Sequence, residues 1–272
     1  MSIVLPPSSG GEWYNPAVPT KTRSYRIGQI VPSSNTTMET EIPAMLRARE
    51  TVEPERFTFH SSRMPMKKVT KEELEAMDAD SVRCALELVD ARVDILGYAC
   101  LVAIMSMEKG YHRNSEKKLH DVTVRAGHGI PVVTSAGALI AGLKTLRAKQ
   151  IALVAPYLKP LTKLVVDYIE AEGIQVADYI SLEIADNVEV GRLDPMALIE
   201  IYRDLRRDGI DALVLSSCVQ MPSLAAIPIV ENECRLPVVS AAVCTTHQML
   251  QQLGLKTYVP NAGSLLSGTY EN

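Results

Sequence analysis

The chain has 272 residues, 47% of them hydrophobic, with 28 basic and 32 acidic side chains for a formal charge of -4. That is ample material for a globular core in one large or two small domains. The charge balance gives no electrostatic case for nucleic acid or an anionic membrane, so a small molecule is the expected partner.

Residues 1–24 are rich in Pro, Gly and Ser and lack a charged start followed by an apolar core, so they read as an N-terminal arm, not a secretory leader. Beyond the arm, short β-branched runs alternate with helical segments: YRIGQIVP (25–32), DILGYACLVA (94–103), IPVVTSA (130–136), QIALVAP (150–156), IDALVLSSC (210–218) and LPVVSAA (236–242). That alternation is the rhythm of parallel βαβ units. The longest nearly uncharged apolar stretch, Ile95 to Met107, is shorter than the roughly 20 residues that span a bilayer. Between the runs, Thr70 and Glu73 have capping-box spacing. Asp194 as N-cap, Pro195 in the first turn and Gly209 past the end bracket one further expected helix.

The two halves of the chain rhyme. IGQIVP (27–32) matches IALVAP (151–156), VDILGYAC (93–100) matches IDALVLSSC (210–218), and IPVVTSAGALIAGL (130–143) matches LPVVSAAVCTTHQML (236–250). The spacing predicts an α/β fold of two pseudo-symmetric lobes, each a mostly parallel sheet flanked by helices. Their bounds are 25–145 and 146–272, with some C-terminal elements packing back on the first lobe. Open parallel sheets bind ligands outside the carboxyl ends of their strands. Two facing lobes therefore place Cys100 and Cys218, at equivalent strand ends, across one cleft.

Five cysteines form an odd set with no Cys-x-x-Cys spacing, which argues against disulfides or structural zinc and for a reducing compartment, the cytoplasm. A lone cysteine usually packs as a small hydrophobe, and Cys84, Cys234 and Cys244 are read that way. His60, His112, His120 and His128 lack metal-ligand spacing, and the apparent Cys244–His247 pair reads as a helix-start coincidence. No Gly-x-Gly-x-x-Gly or phosphate-loop spacing is present.

The segments IGQIVPSSNTTMETEIPAML, ACLVA and SSCVQMPS resemble the signatures of the maleate cis-trans isomerases in the Asp/Glu racemase superfamily, over about residues 25–268. The resemblance implies an enzyme that turns maleate into fumarate by thiolate addition to the double bond, rotation and elimination, with no metal and no organic cofactor. It implies Cys100 as the nucleophile and Cys218 as the opposing thiol that donates or relays a proton. Asn35, Tyr157 and Asn187 are the implied substrate contacts, with backbone groups of Leu101, Val102 and Val219 completing carboxylate binding. A homodimer and a place in bacterial breakdown of nicotinate and similar aromatic compounds are implied as well.

From the residues alone, Asn35 serves equally as a plain helix N-cap, Tyr157 as an interface aromatic and Asn187 as a turn residue. Three other functions compete. A two-cysteine amino-acid or hydantoin racemase also needs opposed thiols, but ACLVA and SCVQM lack the Cys-Asn-Thr and Cys-Thr-His runs of such enzymes. An arylmalonate decarboxylase keeps only the second-lobe cysteine. A non-catalytic dicarboxylate-binding protein has no need of either thiol.

Overall fold

The computed structural model describes residues 23–67 and 71–270. The arm expected over 1–24 lies outside that range except for Arg23 and Ser24, and so does Thr70 of the expected capping box. Its partner Glu73 accepts the backbone N–H of Lys67 at 2.7 Å.

Two four-stranded parallel sheets form the framework. The first contains β1 (Ser24–Pro32), β2 (Arg56–Met64), β3 (Ile95–Tyr98) and β4 (Val132–Thr134), in the order β2-β1-β3-β4. The second contains β5 (Gln150–Ala155), β6 (Gln175–Ser181), β7 (Ala212–Ser216) and β8 (Val238–Ser240), in the matching order β6-β5-β7-β8. The three sequence rhymes are thus β1 with β5, β3 with β7 and β4 with β8, each pair at the same place in its sheet.

The central strands are apolar because both of their faces are covered. β3 and β7 are buried at every residue, and β5 at all but its first. The sequence runs missed β2 and β6, RFTFHSSRM and QVADYIS. Both are edge strands with many exposed or half-exposed residues, so neither carries the apolar run that marked the others.

Helices follow the strands on a shared plan. After β1, β2, β3 and β4 come α1 (Met38–Arg49), α2 (Lys71–Asp90), the pair α3 (Leu101–Met105) and α4 (Tyr111–Arg125), and α5 (Ser135–Thr145). After β5 and β6 come α6 (Lys159–Ala171), then α7 (Asn187–Gly191) and α8 (Leu198–Ile201); α9 (Ile227–Cys234) and α10 (Ala241–Gln252) follow β7 and β8. Among the described residues no helix is long and apolar enough to cross a membrane.

The single helix expected from Asp194 toward Gly209 is corrected. Asp194 does cap, accepting the Met196 N–H at 2.9 Å, but α8 is one turn flanked by 3-10 turns, and helical structure ends at Asp204. Leu205 is extended, and the Arg206 N–H goes to the Asp178 carboxylate at 2.8 Å instead of back into a helix.

The lobes meet through α5 and α10, and α10 also packs on α1, β3 and β4 of the first sheet. Close to them, the fully buried Arg49 of α1 donates to the carbonyls of Lys256 and Tyr258 at 2.8 and 2.7 Å.

Candidate active site

Each sheet delivers its cysteine one turn past a central strand. Beyond β3, the Ala99 N–H still pairs with the Ile30 carbonyl at 2.9 Å. The backbone then swings at Cys100 to φ 94° and ψ 77°, and α3 begins at the next residue. A non-glycine residue with this φ is strained by about 1–3 kcal/mol and persists only where its surroundings enforce it. The Ala103 N–H in the first turn of α3 reaches the Cys100 sulfur.

Beyond β7, the Ser217 N–H holds the Val154 carbonyl at 3.0 Å, so the sheet again extends to the residue before the thiol. No helix follows Cys218 directly. Its turn is tied by the Ser216 hydroxyl, which donates to the carbonyls of Cys218 and Met221 at 2.8 and 3.1 Å. From the first lobe, the buried Glu41 carboxylate accepts the N–H groups of Ser223 and Leu224, both at 2.6 Å. Burial raises the pKa of Glu41, and these two N–H bonds partly offset the rise.

Asn35 sits in the turn after β1 and accepts the N–H groups of Thr37 and Met38 at 3.0 Å each. Its carbonyl oxygen thereby caps α1, and its amide NH2 has no acceptor among the described residues. Tyr157 follows β5 and is buried; its hydroxyl lies 3.5 Å from the Ser217 carbonyl and also reaches the Cys218 sulfur. Asn187 opens α7 and donates to the Ser34 hydroxyl at 2.9 Å.

These residues converge. Cys100, Cys218, Asn35, Tyr157, Asn187, Val102 and Val219 line one narrow cavity of about 20 Å³, together with Pro32, Met66 and Gln220. Leu101, the remaining residue singled out from sequence, is buried at the start of α3 and is not part of the lining. None of the ten lining residues is formally charged. A wider groove beside Gln248, Gln251, Gln252 and Lys256 is open and contains no thiol.

Burial dominates the electrostatics. It pushes the Cys100 thiol up to about 12, with the Ala103 N–H opposing the rise and the nearby Cys218 adding to it. Cys218 is raised by the same cause, but three donors oppose it: the Tyr157 hydroxyl and the N–H groups of Gln220 and Met221. The Gln220 N–H is 3.4 Å from the sulfur. Burial also raises Tyr157 well above its ordinary value, so it is a donor at any ordinary pH.

The other cysteines lie elsewhere. Cys84 and Cys244 are buried in α2 and α10, while Cys234 is partly buried at the end of α9. His247 is buried, neither ring nitrogen is hydrogen-bonded among the described residues, and burial pushes its pKa down to about 4; no hydrogen bond joins it to Cys244. Among the described residues no three His, Cys, Asp or Glu side chains converge as a metal site.

Gln220, Met66 and Glu41 were given no role from sequence. Gln220 had a signal: a polar residue in an otherwise apolar stretch two places after the thiol. Met66 and Glu41 carried none, because their positions depend on segments far apart in the chain.

Comparison with known proteins accords with this geometry. The family model for arylmalonate decarboxylase matches residues 27–266. A maleate isomerase of Geobacillus stearothermophilus is 62% identical over 91% of this chain and 99% of its own length. The crystal structure of a cysteine-to-alanine variant of the Pseudomonas putida S16 maleate isomerase, with maleate, superposes with a TM-score of 0.90 at 63% identity, covering 91% of this chain and 99% of that one. A Nocardia farcinica maleate cis-trans isomerase, crystallised as a cysteine-to-serine mutant with a covalently bound succinylcysteine intermediate, superposes at 0.87 with 44% identity over 90% and 98% of the two chains. Arylmalonate decarboxylase itself shares the fold, with a TM-score of 0.67 at 20% identity over 89% of this chain and 98% of that one. By sequence match and by structure alike, this chain belongs to the maleate isomerase family.

Proposed function

We propose that the protein converts maleate to fumarate through a covalent adduct on Cys100, with Cys218 moving the proton. The carrying observation is the pair of thiols from two equivalent strand ends on one buried, uncharged cavity. The family's succinylcysteine intermediate supports the same chemistry.

Rotation about a carbon–carbon double bond is the barrier. Even the partial double bond of a peptide resists rotation by ~18–20 kcal/mol. Adding sulfur to one alkene carbon makes the central bond single, and rotation becomes easy.

The asymmetry of donors suggests the sequence of proton moves. Cys218, with three donors, is the better-supported thiolate and takes the proton of Cys100. The Cys100 sulfur bonds to one alkene carbon, and the π pair moves to the neighbouring carbon and its carboxylate. The Cys218 thiol protonates that carbon, giving a succinyl thioether that rotates. The Cys218 thiolate then removes a proton from the same carbon, the C–S bond breaks with its electron pair on Cys100, and fumarate leaves. The proton on Cys218 returns to Cys100. No electron or atom is gained or lost, so the cycle requires no cosubstrate.

Sulfur must approach a dianion. Two like charges about 4 Å apart repel by on the order of 4 kcal/mol at an effective dielectric near 20. The cavity answers with neutral side-chain donors, the Asn35 NH2 and the Tyr157 hydroxyl, and the resemblance to the family adds the backbone N–H groups of Val102 and Val219 and, just outside the lining, of Leu101. Asn187 completes the carboxylate contacts. These fixed dipoles stabilise charge in a dry site without adding a cation whose own burial would be costly.

Proton NMR of reduced protein with maleate tests the proposal. Conversion of the maleate olefinic signal to that of fumarate is expected, and its absence would overturn it. We extend the proposal to lobes at 25–145 and 146–272, to a homodimer in the cytoplasm, and to bacterial breakdown of nicotinate and similar aromatic compounds. Light scattering checks the dimer.

A further inference from the structure

Building on the maleate assignment above, we propose that Gln220 is a positioning residue: its side-chain amide sets Asn35 and Asn187, the two substrate-holding asparagines, in relation to Cys218. Gln220 lines the cavity and is only 1% exposed, yet it has nothing left to offer a ligand. A primary amide has two N–H donors and two lone pairs on oxygen. Its oxygen accepts the N–H groups of Thr36 and Thr37 at 2.8 and 3.3 Å. Its nitrogen faces three acceptors, the Asn187 carbonyl at 2.7 Å, the Ser34 carbonyl at 3.2 Å and the Thr36 hydroxyl at 3.4 Å. Every polar valence is spent on protein.

What those partners have in common is the substrate site. The Thr37 N–H is shared between Gln220 and the Asn35 oxygen, so the amide that orients Asn35 is held from the second lobe. Gln220 grips Asn187 by its carbonyl, and Asn187 in turn donates to the Ser34 hydroxyl at 2.9 Å, linking the three loops in a ring. The backbone N–H of the same residue points at the Cys218 sulfur. Loops after β1, β6 and β7 are therefore registered through one side chain.

Gly191 shows how tightly that amide is enclosed. A Cβ there would overlap the Gln220 amide nitrogen and stand 2.6 Å from the Thr36 hydroxyl. Glycine is needed at this position because of the approach, and not because of a left-handed backbone.

The test is steady-state kinetics on maleate with Gln220→Met, which keeps the bulk and removes the hydrogen bonds. KM should rise about tenfold or more with kcat within about threefold of wild type, because the asparagines hold the carboxylates alike in ground and transition states. A rise in KM is not what loss of fold stability alone produces. Gln220→Glu adds a pH readout: its carboxylate lacks the donor, and protonation restores one, so its KM relative to wild type should fall as the pH is lowered. Gly191→Ala, which displaces the amide without deleting it, should raise KM in the same direction. If Gln220→Met does not fold, these two variants decide the matter. An unchanged KM, or a loss confined to kcat or to melting temperature, overturns the assignment. Wild type run alongside separates the failures: no fumarate from wild type removes the maleate proposal and this one with it, whereas normal wild-type turnover beside an unchanged variant KM removes this one alone.

Discussion

The turns that end β3 and β7 begin from the same strand position and part ways at the sulfur. Cys100 sits on a strained left-handed backbone that launches a helix, with a single backbone donor near its thiol. Cys218 sits in a turn braced by Ser216 and, from the other lobe, by Glu41, with three donors around its thiol. The two matching sheets thus carry equivalent thiols, and local chemistry makes them unequal. A poorly supported thiolate is the more reactive nucleophile, while a well-supported one is the better place to leave a negative charge.

The sharpest way to break that comparison is to remove each thiol in turn. Cys100→Ala is expected to lower kcat by about 10⁴-fold or more and to show no adduct with maleate by mass spectrometry. Cys218→Ser should lower kcat by about 10²–10⁴-fold, the usual scale for a proton-transfer group, and accumulate an adduct of one substrate mass on Cys100. An adduct in the first variant and none in the second would reverse the two roles.

A somewhat smaller effect concerns pH. Both thiols are raised by burial, so the pair is protonated near neutrality, and the proposed cycle starts from the form that has lost one proton. The logarithm of kcat/KM should therefore climb by about one per pH unit from roughly pH 6 to 8. A level profile would show that an unrecognised donor already holds one thiolate.

Tyr157→Phe isolates one of the three donors at Cys218. Losing a hydrogen bond to a charged sulfur should reduce neutral-pH kcat/KM about tenfold and move the rising limb up by about one pH unit. If the limb stays in place, the hydroxyl serves substrate alone and the donor asymmetry is weaker than drawn. The mildest change lies where the lobes touch. The side-chain carbon introduced by Gly142→Ala would meet the Cys244 sulfur at 2.6 Å and Leu265 at 3.1 Å. Overpacking of about 1–3 kcal/mol should lower the melting temperature while KM stays the same, because this contact does not line the cavity. A changed KM would mean that lobe packing and substrate contacts are coupled.

Much of this architecture was legible in the amino-acid order. The central strands showed because a strand covered on both faces must be apolar, and the internal rhyme then put Cys100 and Cys218 at equivalent ends. The edge strands β2 and β6 stayed hidden because partial exposure permits polar residues. The helix over 194–209 was misjudged because cap and stop signals are local, whereas the Asp178 carboxylate that claims the Arg206 N–H comes from another strand. Tyr157 and Asn187 stood out only through family resemblance. Gln220 shows the limit most clearly: its partner Thr36 is 184 positions away, and nothing near either residue announces the pairing.

The helix that follows β8 also finishes the covering of the first sheet. α10 covers α1, β3 and β4 as well as its neighbour α5, so the first sheet is still partly bare when its own residues have left the ribosome. A chain truncated before α10 therefore leaves apolar surface of α1, α5, β3 and β4 uncovered for chaperones and proteases to recognise.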